Sequence, residues 1–474
     1  MRMKTTCKAL LCFLLLALSS VNVFSMDEDW DLPISRGEKE TAKYGFIAGT
    51  EILLSIGTLT AFNYFVPGFS WALPSGYSIQ RNLTRPWEWE DQDDFAVNQI
   101  GHPLHGLFYF SAGRANGFSF YQSIFFNAFG GVMWETFGES NEAAINDFIT
   151  TTIGSIAFGE MLYRLYLEAC AFGVPAPLAF ILNPMAGLHR LFSKWEPPDT
   201  GRNLHQLQFY IGGGYAKTQY DAIGVGDVFS FMGPIAEIGG KVVYGNPFEQ
   251  ETKVPYRHFE LMVSYGMNFG NYNHLRLISD GYLFSFSPVY SAKDAVSTGL
   301  TLHFDFQTHG KFGMEDGAVD QYSNAIDWTL KYRHLFSEDT ALELKAHSGF
   351  TFFAASKYFA NVTVINDQGN KKTDYNNFGA GFNGKLFSAM EYKWGRFELN
   401  QLYYIMWTFP ETAHFSQGMV YWIFTDLSYY HHINQHFSLG TAFSYAMERG
   451  YFNDGYPNTK KSNEVLRIFI AWDL

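Results

Sequence analysis

A transmembrane antiparallel β-barrel of about twelve strands with an N-terminal α-helical domain (α + β) is the fold class that the sequence predicts. Three observations predict it. The last ten residues alternate, so that Leu466, Ile468, Ile470, Trp472 and Leu474 form one apolar stripe while Val465, Arg467, Phe469, Ala471 and Asp473 face the other way. The same period of two recurs from about residue 205 onward. Aromatic residues reach 18% of the chain, with 47 Phe and 29 Tyr, yet mean hydropathy is -0.10. An apolar outside, a polar inside and aromatic girdles at two interfaces require that combination.

Taken in order, the chain begins with Arg2, Lys4 and Lys8, then the short apolar run Ala9 to Ala17 and the small or β-branched residues before Ser25. This pattern predicts a secretory signal peptide over 1–25, too short to span a bilayer. Its removal takes three cations from a chain of net charge -13, so the mature protein is strongly acidic, which argues against nucleic acid as a partner. Cys7 and Cys12 leave with it. Cys170 alone remains, and no intramolecular disulfide is expected.

After a polar segment, 26–40, a helical domain is expected over 41–195. Thr41 to Val66 is long enough for a membrane-spanning or fully buried helix with one interior acid, Glu51, and Pro67 and Gly68 end it. The spacings Gly45-x-x-x-Gly49 and Gly113-x-x-x-Gly117 suggest close helix approach. The acidic run from Trp87 to Asp94 reads as solvated linker.

From Asn98 to Arg164, polar residues interrupt apolar helical stretches: NQIGHPLHGLFYFSAGRANGFSF, then MWETFGES, then INDFITTTIGSIAFGEMLYR. The matching positions are Asn98, Gly101, His102, Pro103, Tyr109, Arg114, Trp134, Glu135, Gly138, Glu139, Asn146, Asp147, Gly159, Glu160 and Arg164. This string resembles the signature of an uncharacterised bacterial domain-of-unknown-function family in which such a block precedes an outer-membrane barrel. The family pattern has a Ser before its Asn-Asp pair; Ile145 stands there in this chain. The resemblance implies a layout and no activity.

The residues themselves allow three readings. Glu135 and Glu139 lie four apart, as do Glu160 and Arg164, and each pair would share a helix face. Asp147 would lie about 220° around the same helix from Glu160 at 100° per residue. Unpaired buried charges are expensive, so the favoured reading is a buried polar network of Asn98, Arg114, Glu135, Glu139, Asn146, Asp147, Glu160 and Arg164 that locks the helices together. A lipid-directed hydrolase is the runner-up, with His102 or His105 as general base, Glu135 or Asp147 orienting it, and Ser111, Ser123 or a water as nucleophile. A metal on His102-x-x-His105 with Glu135 or Glu139 is the third and weakest; no cofactor is specified. Arg85-Pro86 and Gly101-His102 hint at an acid phosphatase, but Ile79 stands where its lysine would be.

A linker, 196–204, leads to the barrel, 205–474. Leu207, Phe209, Ile211 and Tyr215 alternate with Gln206, Gln208, Gly212 and Gly214. Ile326, Trp328, Leu330 and Tyr332 likewise oppose Asp327, Thr329, Lys331 and Arg333. Tight links at 337–340, 393–396 and 433–436 alternate with long polar ones around 310–323, 362–376, 410–417 and 449–463, as short periplasmic turns alternate with outer loops. The strand Leu207 to Tyr215 must pair with the C-terminal one.

His258, Glu260, His303, Asp305, Gln307, Asp327, Lys331, Arg333, Glu343, Lys345 and His347 would line the lumen with both charge signs. Such a lining suits a cross-linked interior better than an ion-selective channel. These expectations together describe a protein of the bacterial outer membrane in a Gram-negative envelope, transporting or structural, with its helices plugging or capping the barrel. Its expected partners are outer-membrane lipids and the barrel assembly machinery.

Overall fold

The computed structural model describes residues 38–474 apart from 91, 92, 94, 194–201, 223–225, 250, 269–271, 311–318, 366–370, 410–416 and 454–456. The expected signal peptide, 1–25, and most of segments 26–40 and 196–204 therefore lie outside the described residues. Two compact units are present, one ending at Asn203 and the other running from Leu204 to Leu474 together with Asp94–Ala96.

The helical unit contains α1 (Glu38–Phe65), α2 (Gly76–Thr84), α3 (His102–Ala115), α4 (Phe120–Phe137), α5 (Ile145–Ile149), α6 (Ser155–Ala171), α7 (Ala176–Leu182) and α8 (Pro184–Ser193). Ser75 and Ser119 start α2 and α4 with reciprocal capping boxes, satisfying amides that a helix leaves open. Helix α3 is central and packs on α1, α4, α6 and α8. Its close approach depends on Gly106, where a Cβ would lie 1.9 Å from the Thr151 carbonyl oxygen. Of the expected glycine pairs, Gly49 has nothing within 4 Å of such a Cβ, and Gly117 is the φ 78° residue that follows the end of α3. Gly113 does allow a close approach, since a Cβ there would lie 2.8 Å from Ser123 Oγ of α4, but neither spacing works as a pair. Within α1, Ala42–Phe65 is long and apolar enough to cross a membrane, and Phe46, Leu54 and Phe65 on it are exposed.

Helices α5 and α6 are joined by a π-helical turn, Thr150–Gly154, rather than by regular helix. The extra residue per turn shifts the phase, so the 220° offset expected between Asp147 and Glu160 does not apply.

In the second unit, twelve strands close into one antiparallel barrel: β1 (Leu204–Ala222), β2 (Gly226–Tyr244), β3 (Phe259–Asn268), β4 (Tyr272–Tyr290), β5 (Asp294–Gly310), β6 (Val319–Ser337), β7 (Thr340–Ile365), β8 (Lys371–Tyr392), β9 (Gly395–Thr408), β10 (Gly418–His432), β11 (Phe437–Phe452) and β12 (Thr459–Asp473). β12 pairs with β1 in the register Ile211↔Ile470 and Tyr215↔Leu466, which leaves no free sheet edge. Leu466, Ile468 and Ile470 are 59%, 63% and 52% exposed, whereas Val465, Phe469 and Ala471 are buried. An apolar exterior on a closed barrel is what hydrocarbon solvates.

Loop lengths depart from strict alternation. The links at 337–340, 392–395 and 432–437 are short and those between β9 and β10 and between β11 and β12 are longer, but β1–β2 and β3–β4 are also tight. The β2–β3 connection is long although it lies on the short-turn side. Part of it extends β3, since the Thr252 amide donates to the Ser285 carbonyl and the Tyr256 amide to that of Tyr282.

Inside, the barrel is not purely polar. Ile278, Leu402, Met406, Val420, Trp422 and Phe424 form a buried apolar cluster, while Tyr403 and Trp407 on the outer face of β9 are exposed. Over Leu402–Met406 and Val420–Phe424, β9 and β10 are thus apolar on both faces.

Candidate functional site

Two sets of polar side chains are buried, one in each unit. In the helical unit, α3 carries Arg114 against Glu160 of α6. Arg114 Nε lies 2.8 Å from Glu160 Oε2, and its Nη2 donates to Oε1 at 3.2 Å. Arg164, one turn further along α6, reaches the same Oε1 at 2.9 Å. Arg114 Nη1 also donates to the Phe118 carbonyl, and the guanidinium sits over the Tyr163 ring. All three charged residues are buried. Two cations on one carboxylate, with a carbonyl taking the surplus donor, is a closed arrangement, and losing one partner of such a pair costs roughly 3–5 kcal/mol.

His102, at the start of α3, sits between Thr151 in the π turn and Asp147 in α5. Its Nδ1 is 3.2 Å from Thr151 Oγ1 and its Nε2 3.4 Å from Asp147 Oδ1. Asn146 donates to the same Asp147 oxygen at 2.7 Å, and Asn98 donates to the Asp93 carbonyl. The hydroxyl beside the imidazole is therefore that of Thr151. Ser111 instead accepts from Asn183, and Ser123 lies against Gly113. Thr151, His102 and Asp147 are 1%, 3% and 0% exposed, so nothing in this arrangement faces solvent.

Glu139 does not belong to the helix that carries Glu135, although both carboxylates act on Tyr109. Gly138 caps α4 and Glu139 lies beyond it, whereas Glu135 turns back to accept the Ala144 amide at 2.9 Å. Burial first, and then both carboxylates, hold the Tyr109 hydroxyl far above its usual range. His105 meets Trp134 edge to face at 4.7 Å and His102 at 5.6 Å. Burial, and then His102, push its imidazole down to about 3. Among the described residues the ligand atoms of His102, His105, Glu135 and Glu139 do not converge on a metal position; those of His303, Asp327 and His347 do.

The second set fills the lumen. Strands β4 and β10 stand on opposite walls, six places apart in the ring of twelve. Arg276 of β4 and Asp426 of β10 meet across it in a bidentate pair, at 2.8 and 2.6 Å. Ser444 and Arg467 join this contact, and Arg467 continues to Glu237, which Tyr210 and His274 also approach. Further along, Lys461 of β12 binds Glu448 at 2.9 Å and the Lys357 carbonyl of β7 at 2.6 Å. Lys385 of β8 bonds to Asp305 and to His303 Nδ1, and Tyr404 donates to Asp305. Lys345 bridges Asp280 and Glu260. A cavity of about 250 Å³ remains at one end, among Lys241, Glu260, Lys331, Arg333, Glu343 and Arg396.

The alternation of β5 to β7 assigns His303, Asp305, Asp327, Lys345 and His347 to the lumen, and they are buried there. Arg276, Asp280, Lys385 and Asp426 escape sequence reasoning. Their strands carry bulges or apolar inner faces that mask the period, and no local signal pairs residues 150 positions apart.

Residues 86–175 match a family described as a domain of unknown function, DUF3943. No curated protein matches the chain. Solved structures similar to it include an outer-membrane channel from Pseudomonas putida F1, at 10% identity and TM-score 0.29 over 59% of this chain and 100% of that one. The NanC porin is similar at 9% identity and TM-score 0.24 over 55% and 100%, and the outer-membrane protease OmpT from Escherichia coli at 8% and 0.22 over 58% and 99%.

Proposed function

We propose that this chain is a non-enzymatic protein of the bacterial outer membrane whose barrel is closed to free diffusion by its own side chains, in a structural role or as a transporter that must rearrange to pass solute. The bidentate Arg276–Asp426 pair between opposite walls carries this reading. Ion pairs fix its geometry, and the apolar cluster around Trp422 excludes water beside it. Barrel closure, the exposed apolar band and the basic, apolar N-terminal segment support export and insertion, with outer-membrane lipids and the barrel assembly machinery as partners. Closure by side chains makes a helical plug unnecessary for a sealed lumen. The test is single-channel recording of the full chain in planar bilayers. Wild type should show no stable open state, and Arg276→Ala should introduce conductance steps; a steady porin-like current through wild type sinks the reading.

A second reading, a membrane-lipid hydrolase, is favoured by one observation, the alignment of Thr151, His102 and Asp147. A hydroxyl, an imidazole and a carboxylate in series can activate a nucleophile, although here the group is shut off from substrate. Mass spectrometry of envelope lipids from cells carrying wild type or His102→Ala should differ in one lipid species if this reading holds. Identical lipids remove it.

A further inference from the structure

We propose that the barrel lumen binds one divalent transition-metal ion of the zinc class through His303, Asp327 and His347. These are inward positions on three consecutive strands, β5, β6 and β7, and one ligand atom from each can be chosen so that all lie within 4.8 Å of one another. His303 Nε2 and Asp327 Oδ2 are already 3.3 Å apart. That is about the edge of a tetrahedron with arms of roughly 2.0–2.1 Å, the length of zinc bonds to nitrogen and oxygen. A ligand atom of the third residue, His347, lies within 4.8 Å of one from each of the other two. Two imidazoles and a carboxylate are the donor set that zinc-class ions take, with one coordination position left open.

Two observations separate this cluster from an ordinary buried hydrogen-bond network. First, Asp327 Oδ2 and His347 Nε2 are buried without a hydrogen-bond partner. His303 Nε2 stands 3.3 Å from that Oδ2 without making a hydrogen bond to it and lies nearer Thr301 Oγ1, at 2.8 Å, so the carboxylate oxygen is left for a cation to satisfy. Second, the surrounding groups orient the ligands. Asn383 donates to Asp327 Oδ1 at 2.9 Å and leaves Oδ2 to the site, and Thr329 holds His347 Nδ1 at 2.7 Å. Gly349 faces the carboxylate where a Cβ would lie 2.4 Å from Asp327 Oδ1. Outer contacts of this kind fix ligand geometry in metal sites.

The local charge permits a dication. Three carboxylates, Asp280, Asp305 and Asp327, stand against two ammonium groups, Lys345 and Lys385, each bonded to a carboxylate. Lys385 donates to His303 Nδ1, so the ring proton sits on Nε2. For an ion to bind Nε2 that proton would shift to Nδ1, so Lys385 would give up its bond to His303 and keep the one to Asp305.

The full chain, carrying no histidine tag, is refolded in detergent with equimolar zinc, passed through a chelator wash and gel filtration, and its metal measured by mass spectrometry. One zinc per chain is expected, with affinity at least tenfold weaker in Asp327→Asn and in the double variant His303→Gln/His347→Gln. Heat-modifiable migration reports whether each variant closes its barrel. Zinc retained equally by wild type and a folded double variant, or absent from wild type, overturns the proposal. Should the double variant fail to fold, cobalt(II) substitution of wild type decides instead: visible tetrahedral absorption supports the site and its absence overturns it.

Discussion

His105 shows how one buried imidazole ties the helical unit to pH. Its ring packs on Trp134 and its Nδ1 has no hydrogen-bond partner, so protonation inside the fold is resisted. The folded-state value of about 3 lies below the ordinary 6.5, which means that between these values the unfolded chain binds a proton that the folded chain refuses. Stability is therefore complete above about 6.5 and falls as pH drops through the window toward 3. Following the helical circular dichroism of the full chain against pH, His105→Gln should move the acid midpoint downward; an unchanged midpoint would show that this ring does not drive the transition. The spacing of His102 and His105 reveals that both enter α3 near its start. Which one meets a carboxylate is decided by Asp147, 45 positions from His102, through a fold that no local pattern encodes.

At the level of elements, the strands that alternate cleanly are legible and the others are not. In β6 the sequence separates Ile326, Trp328 and Leu330 from Asp327, Thr329 and Lys331, and the exposure follows it. Over Leu402–Met406 of β9 and Val420–Phe424 of β10 both faces are apolar, one exposed on the barrel exterior and one packed in the cluster around Trp422, so hydropathy alone leaves their orientation open. The helix carrying Glu135 looks in sequence as though it extends through Glu139, but Gly138 ends it before Glu139 is reached. The π turn at 150–154 is likewise invisible to a 100° count, and it is what brings Thr151 to His102. The strand β12 carries a prediction of its own. Deleting 465–474 removes most of the partner register of β1 and should abolish heat-modifiable migration, measured by gel shift after refolding; a variant that still migrates as a closed barrel would refute the assigned closure.

For the molecule as a whole, fold class is readable because alternation and aromatic content both reflect one cause, a sheet apolar outside and packed inside, whereas loop lengths follow the expected order only from β6 onward. The long-range pairs in the lumen were unreadable because they depend on which walls face each other. The helical unit is readable as helical through its period, while its packing rests on close approaches at Gly106, Gly130 and Gly159, whose partners no local pattern names. We propose that the boundaries at about 41–195 and 205–474 are those of independently folding parts. Residues 204–474 produced alone should refold into a heat-modifiable barrel in detergent, and failure to do so while the full chain succeeds would make the helical unit part of the barrel's folding.

The pairing of β1 with β12 also sets a timetable. Tyr215 and Leu466 are about 250 residues apart, so β1 is synthesised long before its second neighbour exists. Through that interval it carries an open edge, and a chain of high contact order folds slowly and risks pairing with other copies of itself. Rapid closure is therefore a kinetic problem for this sequence as much as a thermodynamic one. Gly212 and Gly214 of β1, where a Cβ would lie 2.4 and 2.1 Å from carbonyl oxygens of β12, are the positions at which any larger residue obstructs that last seam.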